Sequence, residues 1–120
     1  LHERVRTDLW GYAAAESLTS EDLIAERYAG IRPAPGYPAC PEHTVKADMF
    51  RVLQANDIGM ELTDSFAMVP GAAVSCFYFG HPESKYFVVG KIGEDQLADH
   101  AARRGASKDD LERWLAPNLS

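Results

Sequence analysis

Residues 30–41 read Gly-Ile-Arg-Pro-Ala-Pro-Gly-Tyr-Pro-Ala-Cys-Pro, and this stretch decides how the chain is organised. It places four prolines within nine residues, from Pro33 to Pro41. Proline fixes its own φ and has no backbone N–H, which excludes a helix or a central strand here. Each proline also restricts the preceding residue to extended conformations. We expect a stiff, ordered loop, because a flexible linker usually lacks Tyr, Ile and Cys at this density.

Helical patterns lie on both sides of this loop. Apolar residues three or four positions apart, acidic residues in first turns and capping residues indicate them. The first predicted helix is 1–15, with the apolar stripe Leu1, Val5, Leu9 and Tyr12, and the second is 20–28, capped by Thr19 or Ser20 and ended by Gly30. The third is 45–56, with Thr44 as N-cap, the apolar stripe Val45, Met49 and Leu53, and Gly59 after its end. The fourth is 94–104, closed by Gly105, and the last runs from Ser107 to Pro117 and buries Leu111, Trp114 and Leu115.

Two strands are predicted between the third and fourth helices. Residues 74–79 and 86–92 are rich in aromatic and β-branched side chains, and a turn of hairpin length joins them. Residues 62–68 are a weaker strand candidate. Consecutive strands with short connections pair antiparallel. The sequence therefore predicts an α+β fold with a small antiparallel sheet and flanking helices.

Composition narrows the classes of partner. The 120 residues carry 12 Lys and Arg against 18 Asp and Glu, for a net charge of −6. Such a chain is poorly suited to bind nucleic acid or an anionic membrane surface, because both need clustered cations. No apolar run approaches the roughly 20 residues that span a bilayer, and we expect no secretory signal at the start.

The two cysteines, Cys40 and Cys76, are too few for a disulfide framework, and we expect reduced thiols in a cytoplasmic protein. Cys40 and His43 form a C-x-x-H pair, which is a weak zinc signal without a second pair. We predict no metal site and no catalytic residue. A free-standing enzyme with Cys40 as its nucleophile is one alternative.

The loop also carries groups that suit a particular ligand. Arg32 stands at its start, and a fixed guanidinium gives a carboxylate two parallel hydrogen bonds. Proline carbonyls accept hydrogen bonds from amines, and Tyr37 adds a flat ring with a polar tip. Glu26 lies six positions before Arg32. A ligand with a carboxylate, an ammonium, a cationic centre and a purine fits this set. A structural loop with Arg32 in an ion pair is the alternative.

Residues 30–43 resemble a signature of the activation domain of cobalamin-dependent methionine synthase, the S-adenosylmethionine-binding domain at that enzyme's C-terminus. Further segments resemble the same family in the same order, so that the resemblance covers nearly the whole chain. They are residues 1–6, 61–68, 77–79, 81–82, 84–87 and 112–119.

This resemblance implies a fold and a function. The family's domain has a bent, largely antiparallel sheet with helices. The full enzyme transfers a methyl group from methyltetrahydrofolate to homocysteine through cobalamin. When cob(I)alamin is oxidised to inactive cob(II)alamin, the domain presents S-adenosylmethionine for reductive remethylation. The implied partners are the cobalamin-binding domain of the same enzyme and flavodoxin or another reductase.

The resemblance also assigns site residues one at a time. Arg32 matches the arginine that holds the methionyl carboxylate, and Glu26 matches an acid near the sulfonium. Ala34 matches a backbone contact, and Tyr37 matches a tyrosine of the same site. Tyr86 and Phe87 match a strand pair beside the ligand, although ordinary strand packing also accounts for these two residues.

Two substitutions and one gap separate this chain from the family pattern. Val69 and Cys76 stand where members often have Trp and Gly. The family's domain is longer, and an acid that holds the ligand's ammonium precedes the position of Leu1. We therefore expect residues 1–120 to be a single domain or the C-terminal portion of such an activation domain, with its ligand loop at 30–43. A docking module for cobalamin-domain or flavodoxin-like partners, without independent ligand binding, is the second alternative.

Overall fold

The computed structural model describes residues 1–120, which form two units. Unit 1 comprises Leu1–Pro33 and Cys76–Phe87, and unit 2 comprises Ala34–Ser75 and Val88–Ser120. Each unit thus joins segments that are distant in sequence. None of the helices combines the length and the hydropathy that a bilayer crossing requires.

Unit 1 begins with two short helices. Helix α1 (His2–Arg4) continues into a π-helical segment (Val5–Leu9), and α2 spans Ser20–Ile24. Thr19 caps α2: its hydroxyl accepts the Asp22 N–H at 3.1 Å, and the Asp22 carboxylate accepts the Thr19 N–H at 3.0 Å. Both helices are shorter than predicted. In the predicted stripe of the first helix only Val5 is buried, because the wider π-helical turn displaces later residues from a 3.6-residue period.

Unit 2 contains helix α3 (Val45–Leu53) and a 3₁₀ turn (Ala55–Ile58). The predicted stripe of this helix is wrong in part. Leu53 is 72% exposed, whereas Phe50 and Lys46 are buried. Thr44 holds the N-cap position, but its hydroxyl donates to the Glu42 carboxylate and does not cap the helix.

The sheet of unit 2 is a two-stranded antiparallel hairpin. Strand β1 (Glu61–Leu62) pairs with β2 (Met68–Val69), and Leu62 lies opposite Met68. The weak strand candidate at 62–68 therefore folds back on itself. The expected α+β class, with a small antiparallel sheet and flanking helices, is observed.

The core of unit 2 is a helical hairpin. Helix α4 (Glu94–Arg104) has the predicted bounds, and α5 (Lys108–Leu115) follows Ser107, whose hydroxyl accepts the Asp110 N–H at 3.1 Å. A 3₁₀ turn that contains Pro117 ends it. Trp114 is only half-buried. The buried core residues of the two helices are Leu97, Ala101, Leu111 and Leu115.

The prediction of a hairpin from residues 74–79 and 86–92 is wrong. In unit 1, Phe79 pairs with Ile31 in an isolated antiparallel bridge. In unit 2, Ile92 pairs with Leu119 in a parallel bridge. Val74 and Val88 are 76% and 74% exposed, so these side chains do not pack on both faces as expected. High β-propensity reports that a segment suits a sheet, but it does not specify the partner.

Candidate functional site

Arg32 projects from a short antiparallel ladder in unit 1. The Ile31 N–H donates to the Phe79 carbonyl at 3.0 Å, and the Phe79 N–H returns a 2.9 Å bond. Ile31 and Pro33 are buried and Arg32 is exposed. This alternation is that of a strand, in which successive side chains point to opposite faces. The ladder therefore holds the Arg32 backbone while its side chain faces solvent.

Gly30 permits this ladder to form. Its φ is +85°, and a Cβ at this position would lie 2.1 Å from the Phe79 carbonyl oxygen. No side chain tolerates such a contact with a backbone atom. The sequence predicts that Gly30 ends the preceding helix. This prediction is wrong, because α2 already ends at Ile24.

The guanidinium of Arg32 forms no ion pair with any carboxylate of the chain. Its Cζ lies 5.8 Å from the ring centroid of Tyr28. The Arg32 backbone N–H donates to the Tyr86 hydroxyl at 2.9 Å. The alternative in which Arg32 serves a structural ion pair is therefore wrong, and its hydrogen-bond donors are open to a ligand.

Three more predicted site residues belong to unit 1. Tyr86 and Phe87 are 61% and 60% exposed, which contradicts ordinary strand packing for both. Glu26 is exposed and has a left-handed φ of 55°. Its carboxylate has no hydrogen bond and no ion pair. The structure joins Arg32 and Tyr86 directly and gives no contact between Glu26 and either of them.

Ala34 and Tyr37 belong to unit 2 and form a tight turn there. The Tyr37 N–H donates to the Ala34 carbonyl at 3.2 Å, and the Cys40 N–H donates to the Tyr37 carbonyl at 2.8 Å. The Tyr37 side chain is 67% exposed. At Gly36 (φ +96°), a Cβ would lie 2.2 Å from Cε1 of His43, so this imidazole packs directly on the turn.

Two ionisable groups near Arg32 in unit 1, His2 and Tyr78, have pKa values shifted toward their neutral forms. Burial lowers the pKa of His2, and the charges of Arg6 and Arg32 lower it further against a hydrogen bond to the Phe79 carbonyl. The pKa of Tyr78 is raised, first by its hydrogen bond with Cys76 and then by burial. The charge of Arg6 is offset by its ion pair with Glu16, whereas the charge of Arg32 stays unpaired.

Cys40 is unsuited to nucleophilic chemistry. Burial raises the pKa of its thiol, and the Glu42 carboxylate raises it further, whereas a reactive cysteine needs a lowered pKa. His43 contacts the Lys46 ammonium through Nδ1 at 3.0 Å. The chain has no cluster of three His, Cys, Asp or Glu side chains that could hold a metal ion.

Sequence reasoning missed two sets of residues that support the loop. Tyr28 lies beside Arg32, but α2 ends before Tyr28 and no helical period connects the two. In unit 2 the Glu42 carboxylate accepts a 2.8 Å hydrogen bond from Nε2 of His100, which is 58 positions away. No local pattern could have paired Glu42 with His100.

Comparison with known proteins identifies the family. The family model described as vitamin B12 dependent methionine synthase, activation domain, matches residues 1–105. The chain belongs to this activation-domain family. The resemblance identified from the sequence is thereby confirmed.

One solved activation domain can be compared in detail. It is the crystal structure of the MetH reactivation domain bound to AdoHcy, which is 59% identical to this chain with a TM-score of 0.91. The similarity covers 99% of this chain and 37% of that one. The chain thus spans little more than a third of the activation-domain structure that it matches, and it has the fold of the matched part.

Proposed function

We propose that this chain is an S-adenosylmethionine-binding module, and that it serves the reductive remethylation of cob(II)alamin in cobalamin-dependent methionine synthase. Family membership and the AdoHcy of the matched structure support this proposal. AdoHcy is S-adenosylmethionine without its transferable methyl group. We propose that residues 1–120 are a portion of the activation domain, that residues 30–43 are its ligand loop, and that the protein acts in the cytoplasm.

The observation that carries the proposal is the unpaired guanidinium of Arg32. Its backbone is fixed by the ladder and by the Tyr86 hydroxyl at 2.9 Å, while its side chain is exposed. An unpaired guanidinium on a fixed backbone suits the methionyl carboxylate, which accepts two parallel charge-assisted hydrogen bonds. Its neighbours in unit 1 add no competing carboxylate.

The remaining proposed contacts follow the ligand's other groups. Glu26 has a free carboxylate that suits the positively charged sulfonium, which cannot donate a hydrogen bond. Tyr37, Tyr86 and Phe87 expose aromatic faces suited to an adenosyl group. Ala34 contributes a contact from its backbone to the ligand.

The chain's own residues bind and orient the ligand. S-adenosylmethionine, when bound, supplies an electrophilic methyl group. The chain offers neither an activated nucleophile nor a base for this reaction, and its contribution is to hold the donor methyl close to a cobalamin carried by another domain. We infer that the isolated chain is not catalytic. The proposed partners are the cobalamin-binding domain and a flavodoxin-like reductase.

Isothermal titration calorimetry of the chain with S-adenosylmethionine, and with AdoHcy for comparison, tests the proposal. We expect saturable binding to the native chain. We expect Arg32→Ala to raise Kd about 10- to 100-fold, the equivalent of losing charge-assisted hydrogen bonds. The matched control is Arg4→Ala, since the exposed Arg4 pairs only with the exposed Asp8 at 3.5 Å. An Arg32→Ala variant with native affinity contradicts the site.

The alternative is a docking module for cobalamin-domain or flavodoxin-like partners, without independent ligand binding. A folded chain that binds no S-adenosylmethionine, yet co-migrates with a cobalamin-binding domain, supports this alternative. Co-migration that requires the ligand supports the first proposal.

A further inference from the structure

The end of the ligand loop in unit 2 carries a buried, fully engaged carboxylate. The Glu42 side chain is 11% exposed and accepts a 2.8 Å hydrogen bond from Nε2 of His100 on α4. The Thr44 hydroxyl donates to the same carboxylate, and the Arg104 guanidinium lies 3.6 Å away. Arg104 also lies 3.8 Å from Asp48 of α3. The loop is thus bound to a core helix through Glu42.

Glu42 is not held by packing alone. A cleft of about 340 Å³ opens beside it, lined by Cys40, Leu97 and His100 among others. A side chain next to open space keeps one orientation only where directional bonds fix it. Here those bonds come from His100 and Thr44, and the Arg104 guanidinium adds an ion-pair contact at 3.6 Å.

A short, stiff connection links Glu42 to the Tyr37 turn. The Gly36 N–H donates to the Cys40 carbonyl at 2.7 Å, and the Cys40 N–H donates to the Tyr37 carbonyl at 2.8 Å. Only Pro41 separates Cys40 from Glu42. The turn is therefore closed on itself and anchored two residues beyond its end.

A second support acts on the same turn from the next residue. The His43 imidazole packs on Gly36, and the Lys46 ammonium contacts Nδ1 of His43 at 3.0 Å. Lys46 also donates to the Phe66 carbonyl at 2.8 Å. Because this support acts on Gly36, loss of the Glu42 anchor frees mainly residues 37–42, and these include the Cys40 carbonyl that accepts the Gly36 N–H.

We propose that Glu42 is a positioning residue, whose bond to His100 holds the turn at residues 36–40 in the conformation that presents Tyr37 to S-adenosylmethionine. This inference rests on the proposed function. A loosened turn adopts the conformation that binds S-adenosylmethionine for only a fraction of the time. The apparent Kd then rises by the inverse of that fraction.

The test combines amide hydrogen exchange with calorimetry on the full chain. Glu42→Gln removes the charge, His100→Ala removes the donor, and His100→Gln keeps an N–H donor without a charge. The control is Asp99→Asn on the same helix, whose exposed carboxylate pairs only with Arg103 at 2.7 Å.

We expect Glu42→Gln and His100→Ala to speed exchange of the Gly36 and Cys40 amides about tenfold, while the amides of Leu111 and Leu115 keep native rates. We expect the same variants to weaken S-adenosylmethionine binding about tenfold, as a competent fraction of about one tenth requires. We expect His100→Gln to keep most of the native protection from exchange and most of the native affinity, and Asp99→Asn to change neither quantity.

Two results overturn the positioning role: native exchange at Gly36 and Cys40 in both variants, or faster exchange throughout the chain, which indicates a general structural role. His100 is 35% exposed, so its variants decide the point if Glu42→Gln does not fold. If the native chain binds no S-adenosylmethionine, the proposed function fails, and the exchange rates still decide whether Glu42 positions the turn.

Discussion

Arg6 and Glu16 form a bidentate ion pair inside unit 1, with side chains that are 2% and 8% exposed. The two bonds are 2.7 and 2.9 Å long, and Cζ of Arg6 lies 4.6 Å from the Tyr28 ring centroid. Tyr28 in turn lies beside Arg32. The pair thus supports the aromatic ring on which the proposed ligand arginine rests.

The burial of Arg6 was not predictable from its neighbours in sequence. Arg6 falls off the apolar stripe of a regular helix, which is typical of a solvent-exposed residue. The π-helical turn at Val5–Leu9 changes the spacing, and Glu16 supplies a partner ten positions away. By contrast, the loop itself indicated Arg32 as a candidate carboxylate-binding residue, because its prolines limit the backbone locally.

Glu16→Gln is expected to lower the free energy of unfolding by about 3–5 kcal/mol, because it leaves the buried charge of Arg6 without its counter-ion. Urea unfolding followed by tryptophan fluorescence measures this change. Asp8→Asn is the control: Asp8 and Arg4 are 67% and 69% exposed, and such a pair contributes at most about 1 kcal/mol. Equal effects of the two substitutions contradict a structural role for the buried pair.

At the scale of the element, the helices were predictable where capping and period agree. Helix α4 has its predicted bounds, and Ser107 caps α5 as expected. The strands were not predictable, because a strand's partner lies elsewhere in the chain. Residues 77–79 pair with 31–33 in unit 1, more than forty positions away, and only the tertiary structure specifies that choice.

Gly30→Ala is expected to break the ladder that presents Arg32. The added Cβ would lie 2.1 Å from the Phe79 carbonyl oxygen, and φ of +85° disfavours any L side chain. We expect loss of protection of the Ile31 and Phe79 amides in hydrogen exchange and a Kd for S-adenosylmethionine that rises at least about tenfold.

Gly71→Ala is the matched control, because a Cβ at Gly71 would have no neighbour within 4 Å and the residue has no left-handed φ. It is expected to leave exchange and affinity at native values. Protected Ile31 and Phe79 amides in Gly30→Ala contradict the close approach of these two backbones.

At the scale of the whole molecule, composition indicated a folded chain, but it could not indicate two units. Each unit is assembled from two separate stretches, and unit 1 joins 1–33 to 76–87. Such contacts arise from long-range backbone pairing and from buried charges. The hydrophobic period and the turn residues of a sequence do not indicate either of these. Family resemblance supplied the proposed site residues, while the folded chain identified groups that contact them, such as Tyr28 beside Arg32.

Three partly or fully buried side chains contribute to the response of the chain to acid. Burial lowers the pKa of His2 and of His43 below the ordinary value of 6.5. For Glu42, burial raises the pKa, but hydrogen bonds from His100 and Thr44 and the charge of Arg104 outweigh it, and the net pKa lies below the ordinary 4.5. In all three cases the unfolded chain binds protons more readily than the folded chain.

Stability is therefore expected to rise with pH, since the unfolded state binds more protons. The cost of the two histidines appears as pH falls through about 6.5. The favourable contribution of Glu42 is complete above about 4.5 and is lost as pH falls through its lower folded pKa. Urea unfolding at a series of pH values between 3 and 8 measures both steps. We expect Glu42→Gln to reduce the loss of stability below pH 4.5 and to leave the loss near pH 6.5 unchanged. If the stability of this variant falls below pH 4.5 as steeply as that of the native chain, other carboxylates govern acid unfolding.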